Sequence, residues 1–309
     1  MKSFHELRIV FFGTPDFAVA SLDAIIKAGA NVVAVVTAPD KPAGRGRQLQ
    51  ESAVKQYAVS AGLPILQPEK MKSPDFLAQL SALAADLQIV VAFRMMPEVV
   101  WNMPPLGTIN VHASLLPQYR GAAPINHAII NGETITGVTT FRLKHEIDTG
   151  DILLQQQVEI LPTDNAGSLH DKLMHAGASL LVTTVQGIAA NTLREIPQAN
   201  TDLPLSHAPK IFKENTVINW QLSAHQIHNL VRGLSPYPAA ITTIHQRNFK
   251  IYTTTFTLEH TSLPPGSFHT DHATFLRFAA ADGWVYITEL QQEGKKRMGI
   301  NEFLRGFRS

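Results

Sequence analysis

A continuous apolar run, Arg8-Ile9-Val10-Phe11-Phe12, stops at Gly13, and a second apolar run follows at residues 31–37. Strands that do not alternate polar and apolar are covered on both faces, which is the situation inside a parallel sheet. Between the two runs Thr14 reads as an N-cap, Pro15 as the first helical residue and Asp16 as the acid of the first turn. The helix then reaches Gly29. A strand–helix–strand unit of this length is a crossover, so the chain opens as an α/β fold with an open sheet.

Further strands are expected at 64–66, 87–93, 107–112, 137–143 and 152–160, and helices at 51–61, 73–84, 124–130 and 164–190, the last capped by Asp164. Residues 37–50 break the pattern with prolines, glycines and three cations, and read as an exposed basic loop. The stretch 191–208 is polar, carries prolines and lacks periodicity, which suits a linker. Beyond it, a helix capped by Ser223 precedes short β-rich runs at 241–244, 249–255, 274–278 and 284–290, the pattern of a small barrel or sandwich. The expected domains are therefore 1–190 and 209–309, joined by 191–208.

With 309 residues, 45% hydrophobic and 17% charged, the chain has the core for two globular domains. It has no cysteine, which excludes disulfides and thiolate metal sites and fits a reducing cytoplasm. No signal-peptide pattern opens it, and no apolar stretch approaches the about 18 residues that span a bilayer. Net charge is only +1, but it is uneven. Residues 1–205 hold 15 basic and 18 acidic side chains, net −3, and residues 206–309 hold 11 and 7, net +4. A basic second domain permits a polyanionic partner.

The chemistry-bearing pattern lies in the fifth strand. Asn110 and His112 are two apart in Gly-Thr-Ile-Asn-Val-His (107–112), and side chains two apart on a strand share a face. Asp148 follows 36 positions after His112, in a loop bracketed by Gly150. An amide donor, an imidazole and a carboxylate to orient it suit acyl transfer. Taken singly, each has a plainer reading: one of 13 histidines buried in a core, an aspartate solvated in a turn. Gly13-Thr14-Pro15-Asp16 lacks the later glycines of a dinucleotide fingerprint, so it reads as a tight turn and a dehydrogenase is set aside. Lys41, Arg45 and Arg47 suit phosphate contacts, as do Lys295, Lys296, Arg297, Arg305 and Arg308, although a basic cluster is usually only a solvated surface. No cluster has metal-ligand spacing.

Four segments carry a family resemblance: FGTPDFA (12–18), PDKPAGRGR (39–47), NVHASLLPQYRGAAP (110–124) and DTGDIL (148–153). Together they resemble the folate-dependent formyltransferase family, and the basic loop and second domain resemble its tRNA-directed branch. The resemblance implies a Rossmann-like N-terminal domain and a C-terminal β-barrel of oligonucleotide-binding type. It implies Asn110, His112 and Asp148 as catalytic residues, Ser114, Leu115, Leu116 and Pro117 as folate-binding, and Lys41, Arg45 and Arg47 as tRNA-binding. It also implies 10-formyltetrahydrofolate as co-substrate without a metal, initiator methionyl-tRNA as acceptor, and a monomeric cytoplasmic enzyme. One departure stands out: Phe93-Arg94-Met95-Met96 replaces the Tyr-Gly of many members, which puts a bulky cation near the expected pteridine pocket. The trio and the SLLP segment leave open a small amine acceptor, such as glycinamide ribonucleotide or an amino sugar. A non-catalytic RNA-binding protein is the reading from a different class.

Overall fold

The computed structural model describes residues 2–43, 48–198 and 204–307. Seven strands build the larger sheet: β1 (Arg8–Gly13), β2 (Asn31–Val36), β3 (Ile65–Leu66), β4 (Leu87–Val91), β5 (Thr108–His112), β6 (Ile135–Arg142) and β7 (Ile152–Glu159). Their spatial order is β7-β6-β5-β4-β1-β2-β3. β1 lies parallel to β2 and β4, β2 to β3, and β4 to β5, whereas β6 runs antiparallel to β5. This is a Rossmann-like, mostly parallel sheet. Its strand order reverses between β1 and β4, and in such sheets the crevice beyond the carboxyl ends at that point is where ligands bind. The helices are α1 (Asp16–Lys27), α2 (Ala53–Ser60), α3 (Pro74–Ala82), α4 (Glu98–Trp101), α5 (Pro124–Ile130), α6 (Ala166–Ala190), α7 (Ala224–Leu234) and α8 (Ile300–Leu304).

Several local expectations are corrected. α1 starts one residue late: Pro15 is its N-cap, with its carbonyl accepting from Ala18 N at 2.9 Å, while the Thr14 carbonyl accepts from Val54 N at 3.3 Å. β4 ends at Val91 because Ala92 turns the chain at φ 47°. The loop at 37–50 contains a short ribbon, Lys41–Ala43 paired antiparallel with Gln48–Gln50. Asp164 does not cap α6 directly. Asn165 and Ser168 cap it reciprocally at 3.0 Å each way, and the Asp164 carboxylate accepts from Leu161 N at 2.7 Å and Ser168 Oγ at 2.9 Å.

α6 also corrects the reading of apolar length, since by length and composition it is long and apolar enough to cross a membrane. Serines, threonines and glycines interrupt its apolar residues in sequence, yet the mean hydropathy stays high. Leu169, Leu173, Leu180, Leu181 and Val185 are buried at helical spacing, the stripe of a core-facing helix.

Strands β8 (Ala240–Ile244), β9 (Arg247–Thr257), β10 (Phe268–Thr270), β11 (Leu276–Ala279), β12 (Trp284–Gln292) and β13 (Met298–Gly299) form an antiparallel sheet in the order β8-β9-β12-β11-β10, with β13 on β12. Register shifts in the β9–β12 ladder near Thr253 curl this sheet, as bulges do. It becomes a half-barrel around Ile251, Phe278, Val285 and Leu290, closed by Ile227 and Val231 of α7.

The chain divides into two compact units: Met1–Arg120, Gly137–Val158 and Asp171–Ser206 in one, and Gly121–Thr136, Glu159–His170 and His207–Ser309 in the other. The second unit thus recruits two early segments through α7. Asn126 Nδ2 donates to Gly233 O at 2.7 Å, and Arg232 Nη1 donates to Asp164 O at 2.8 Å and Pro162 O at 3.0 Å. Gly233 is required there, since a Cβ would lie 2.5 Å from the Ile130 side chain.

Candidate active site

β5 delivers Asn110 and His112 to the carboxyl edge of the larger sheet, next to the switch point. Its run of β-branched residues favours a strand, and both side chains lie on one face together with their cross-strand partners Phe141 and Thr139 of β6. His112 is buried, with its ring edge-on to Phe141 at 6.5 Å between centroids. His112 Nε2 lies 2.9 Å from the Tyr119 carbonyl. A carbonyl only accepts, so Nε2 carries a proton, and Nδ1 is the nitrogen that gains or loses one. Tyr119 makes this contact from a left-handed backbone conformation, φ 59°, with its own N–H donating to Ser206 O at 2.7 Å.

Asp148 comes from the loop between β6 and β7, also left-handed at φ 55°. Its Oδ2 stands 3.9 Å from His112 Nδ1, with both side chains about nine-tenths buried. That distance is an ion pair when the ring is charged and is too long for a hydrogen bond. The Tyr119 carbonyl, not the carboxylate, therefore holds the ring by direct hydrogen bonding. Gly150 allows the loop to close: a Cβ there would sit 1.6 Å from the Arg142 carbonyl oxygen.

The Asn110 side chain has a different character. Its Oδ1 is fully buried without a hydrogen-bond partner among the described residues. Carboxamide oxygen and nitrogen exchange on a half-turn, so the unsatisfied end marks an amide free to meet a ligand group of either kind. That fits a polar ligand such as a formyl group beside it.

The predicted folate segment turns partly inward. Ser114 and Leu116 are buried, and Leu115 and Pro117 are half-buried. Ser114 Oγ donates to Gln118 O at 2.6 Å. Thr139 Oγ1 donates to Ser114 O at 2.7 Å and accepts from Leu116 N at 3.1 Å, while Gln155 Nε2 donates to Leu116 O at 2.9 Å. The segment is thus a rigid backbone wall, and Thr139, Gln155 and the Tyr119 carbonyl are supports that residue types alone did not reveal.

A cleft of about 700 Å³ opens at the ends of β1, β2 and β4, lined by Thr14, Pro15, residues 38–41, Glu69, Ala92, Phe93 and Arg94. Gln67 Nε2 braces one wall through Ala38 O at 2.9 Å and Asp40 Oδ1 at 2.8 Å. Hydrogen bonding from Lys55 holds the Asp40 carboxyl below its ordinary range. Arg94 does not fill the cleft. Its guanidinium donates to the Pro68 and Glu69 carbonyls and lies 5.7 Å from the Phe93 ring. Lys41 is exposed at the base of the ribbon, and Arg45 and Arg47 lie outside the described residues. In the second unit Arg297 is committed to Glu289, at 2.7 Å and 2.5 Å, and Lys296 pairs with Glu302 at 3.3 Å. Among the described residues no three metal-ligating side chains cluster.

The chain matches the formyl transferase family over residues 7–185 and the formyl transferase C-terminal domain over 210–308. A methionyl-tRNA formyltransferase of Parabacteroides distasonis is 55% identical over 98% of this chain and 96% of its own length. One from Flavobacterium johnsoniae is 49% identical over 97% and 96%. Among solved structures, the fold is similar to WlaRD, a sugar 3N-formyl transferase crystallised with dTDP and 5-N-formyl-THF. That match has a TM-score of 0.68 at 22% identity and covers 94% of this chain and 99% of that one. HypX from Aquifex aeolicus, in complex with tetrahydrofolic acid, gives a TM-score of 0.65 at 17% identity over 97% and 48%. Both family domains are matched and half the residues are shared with relatives along nearly the whole length, so the chain belongs to the formyl transferase family, among the methionyl-tRNA formyltransferases.

Proposed function

We propose that this protein moves a formyl group from 10-formyltetrahydrofolate to the α-amino group of methionine on initiator tRNA, as a monomeric cytoplasmic enzyme serving translation initiation. The observation that carries the reading is the unsatisfied Asn110 amide beside a histidine whose Nε2 is already committed to Tyr119. This pair has one group for a carbonyl oxygen and one for a proton.

In this reading the neutral amine attacks the formyl carbon, a C–N bond forms, and the bond from the formyl carbon to N10 breaks. Asn110 donates to the oxygen as negative charge gathers on it. His112 Nδ1 carries the proton lost by the amine toward the departing N10, facing Asp148 across 3.9 Å. Asp148 acts by field and not by direct hydrogen bonding. The folate occupies the cleft at the switch point, against the wall at 92–94, and extends from it toward residues 114–117, which do not themselves line that cleft.

We assign the unit built on the larger sheet, which keeps residues 171–206, to catalysis and the half-barrel unit to tRNA binding. Lys41, Arg45 and Arg47 contact acceptor-arm phosphates, which makes affinity fall steeply with salt.

The test is transfer of labelled formyl from 10-formyltetrahydrofolate to charged initiator tRNA, beside uncharged tRNA and glycinamide ribonucleotide. Label is expected on the charged tRNA alone. Label on glycinamide ribonucleotide instead would favour a small-amine enzyme and overturn the proposal.

A further inference from the structure

After α6 the chain does not leave the larger sheet. Ile196 exchanges both backbone hydrogen bonds with Ile152, at 2.8 Å and 2.9 Å, and Glu195 accepts from Arg142 Nε at 2.9 Å. Two residues on, this register brings Gln198 to the loop that carries Asp148. Gln198 Nε2 donates to Asp148 O at 2.9 Å and to Gly150 O at 2.7 Å. Its Oε1 accepts from Arg120 Nε at 3.0 Å and Nη2 at 2.6 Å. A primary amide has two N–H groups and two lone pairs, and all four are used. Its orientation is unambiguous, because carbonyls only accept and a guanidinium only donates.

We infer that Gln198 is a positioning residue for formyl transfer: its side chain straps the Asp148 loop to the Tyr119–Arg120 arm and so sets the separation of His112 and Asp148. Both arms need such a hold. Asp148 and Tyr119 are non-glycine residues in the left-handed region, which persists only where the surroundings fix it. Arg120 is covalently next to Tyr119, whose carbonyl grips His112 Nε2, while Asp148 supplies the facing carboxylate. One amide thus ties the two ends of the pair together. The inference rests on the roles proposed above for His112 and Asp148.

Gln198→Glu keeps the size and the Arg120 contact but loses both N–H donors, and Gln198→Ala removes the strap. Each is expected to lower kcat at least tenfold, since misplacement by about 1 Å can cost about 10²-fold. KM for 10-formyltetrahydrofolate and for charged tRNA is expected to stay within about threefold, with the melting temperature nearly unchanged. In Arg120→Ala/Gln198→Ala the two losses are expected not to multiply, because either change alone breaks the strap. Hydrogen exchange at residues 146–151 is expected to quicken in Gln198→Ala, a readout that needs no turnover. Unchanged exchange, wild-type kcat in both single variants, or a loss of kcat that merely follows a fall in melting temperature would overturn the strap. A wild-type protein that formylates no charged tRNA would instead overturn the function proposed above, and the exchange measurement would still judge the strap.

Discussion

His112 has one nitrogen committed to a backbone carbonyl and one turned to the carboxylate of Asp148. Asn110 has a buried amide end with no partner among the described residues. This difference fixes what each substitution should do. Asn110→Ala removes a single donor to a developing oxyanion and is expected to lower kcat about 10²–10³-fold. Its stability should hold, because no intramolecular bond of the buried oxygen is lost; denaturation beside steady-state kinetics checks both. The Asn110–His112 pairing was legible in sequence because strand alternation puts alternate residues on one face. The supports of the pair were not. The Tyr119 contact is made by a backbone carbonyl, which any residue supplies, and Gln198 lies in a polar stretch that reads as a linker. Arg94 was legible as a cation near the pocket and does line the cleft; what its type did not show is that carbonyls at 68–69 hold its guanidinium.

At the scale of elements, the continuous apolar runs announced the buried strands well, since β1, β2 and β4 are covered on both faces. The strand-to-helix turns read less well. Thr14 has the side chain of a cap, but Pro15 takes the capping position, and Asn165 displaces Asp164 by one residue. Such choices depend on which backbone groups the next element presents. The ribbon formed by Lys41–Ala43 and Gln48–Gln50 is a cross-strand pairing that proline and glycine content disguised. The Asp148 loop makes the sharpest demand on its element. A Cβ at Gly150 meets Arg142 backbone at 1.6 Å and 2.7 Å, and backbone cannot step aside. Gly150→Ala is expected to cost about 3 kcal/mol and to depress turnover with it. Gly306→Ala, where the nearest atom is 4.0 Å away, is expected to stay within about 0.5 kcal/mol of the parent. Chemical denaturation of both variants measures the contrast.

For the whole molecule, the order of elements along the chain was legible, but their allotment was not: α7 draws residues 121–136 and 159–170 into the second unit. Those contacts run through Gly233, Arg232 and Asn126, which no local pattern singles out. The same helix carries an acid-sensitive group. Burial, with help from the charges of Arg232 and His225, lowers His228 from its ordinary value near 6.5 to about 4. Below pH 6.5 the unfolded chain takes up a proton that the folded chain refuses until about pH 4. This contribution is therefore full above pH 6.5 and lost as pH falls toward 4. It amounts to about 2 kcal/mol after allowing for partial exposure. His228→Gln is expected to flatten that acid limb of the stability curve, followed by denaturation midpoints at pH 7 and pH 4.5. Formyl transfer itself is most directly tested in a single turnover by the full-length His112→Ala protein, given labelled 10-formyltetrahydrofolate and charged initiator tRNA. A rate about 10²–10⁴-fold below the parent, at an unchanged melting temperature, is the expected result. A rate within twofold of the parent would contradict the role of His112 and the mechanism built on it.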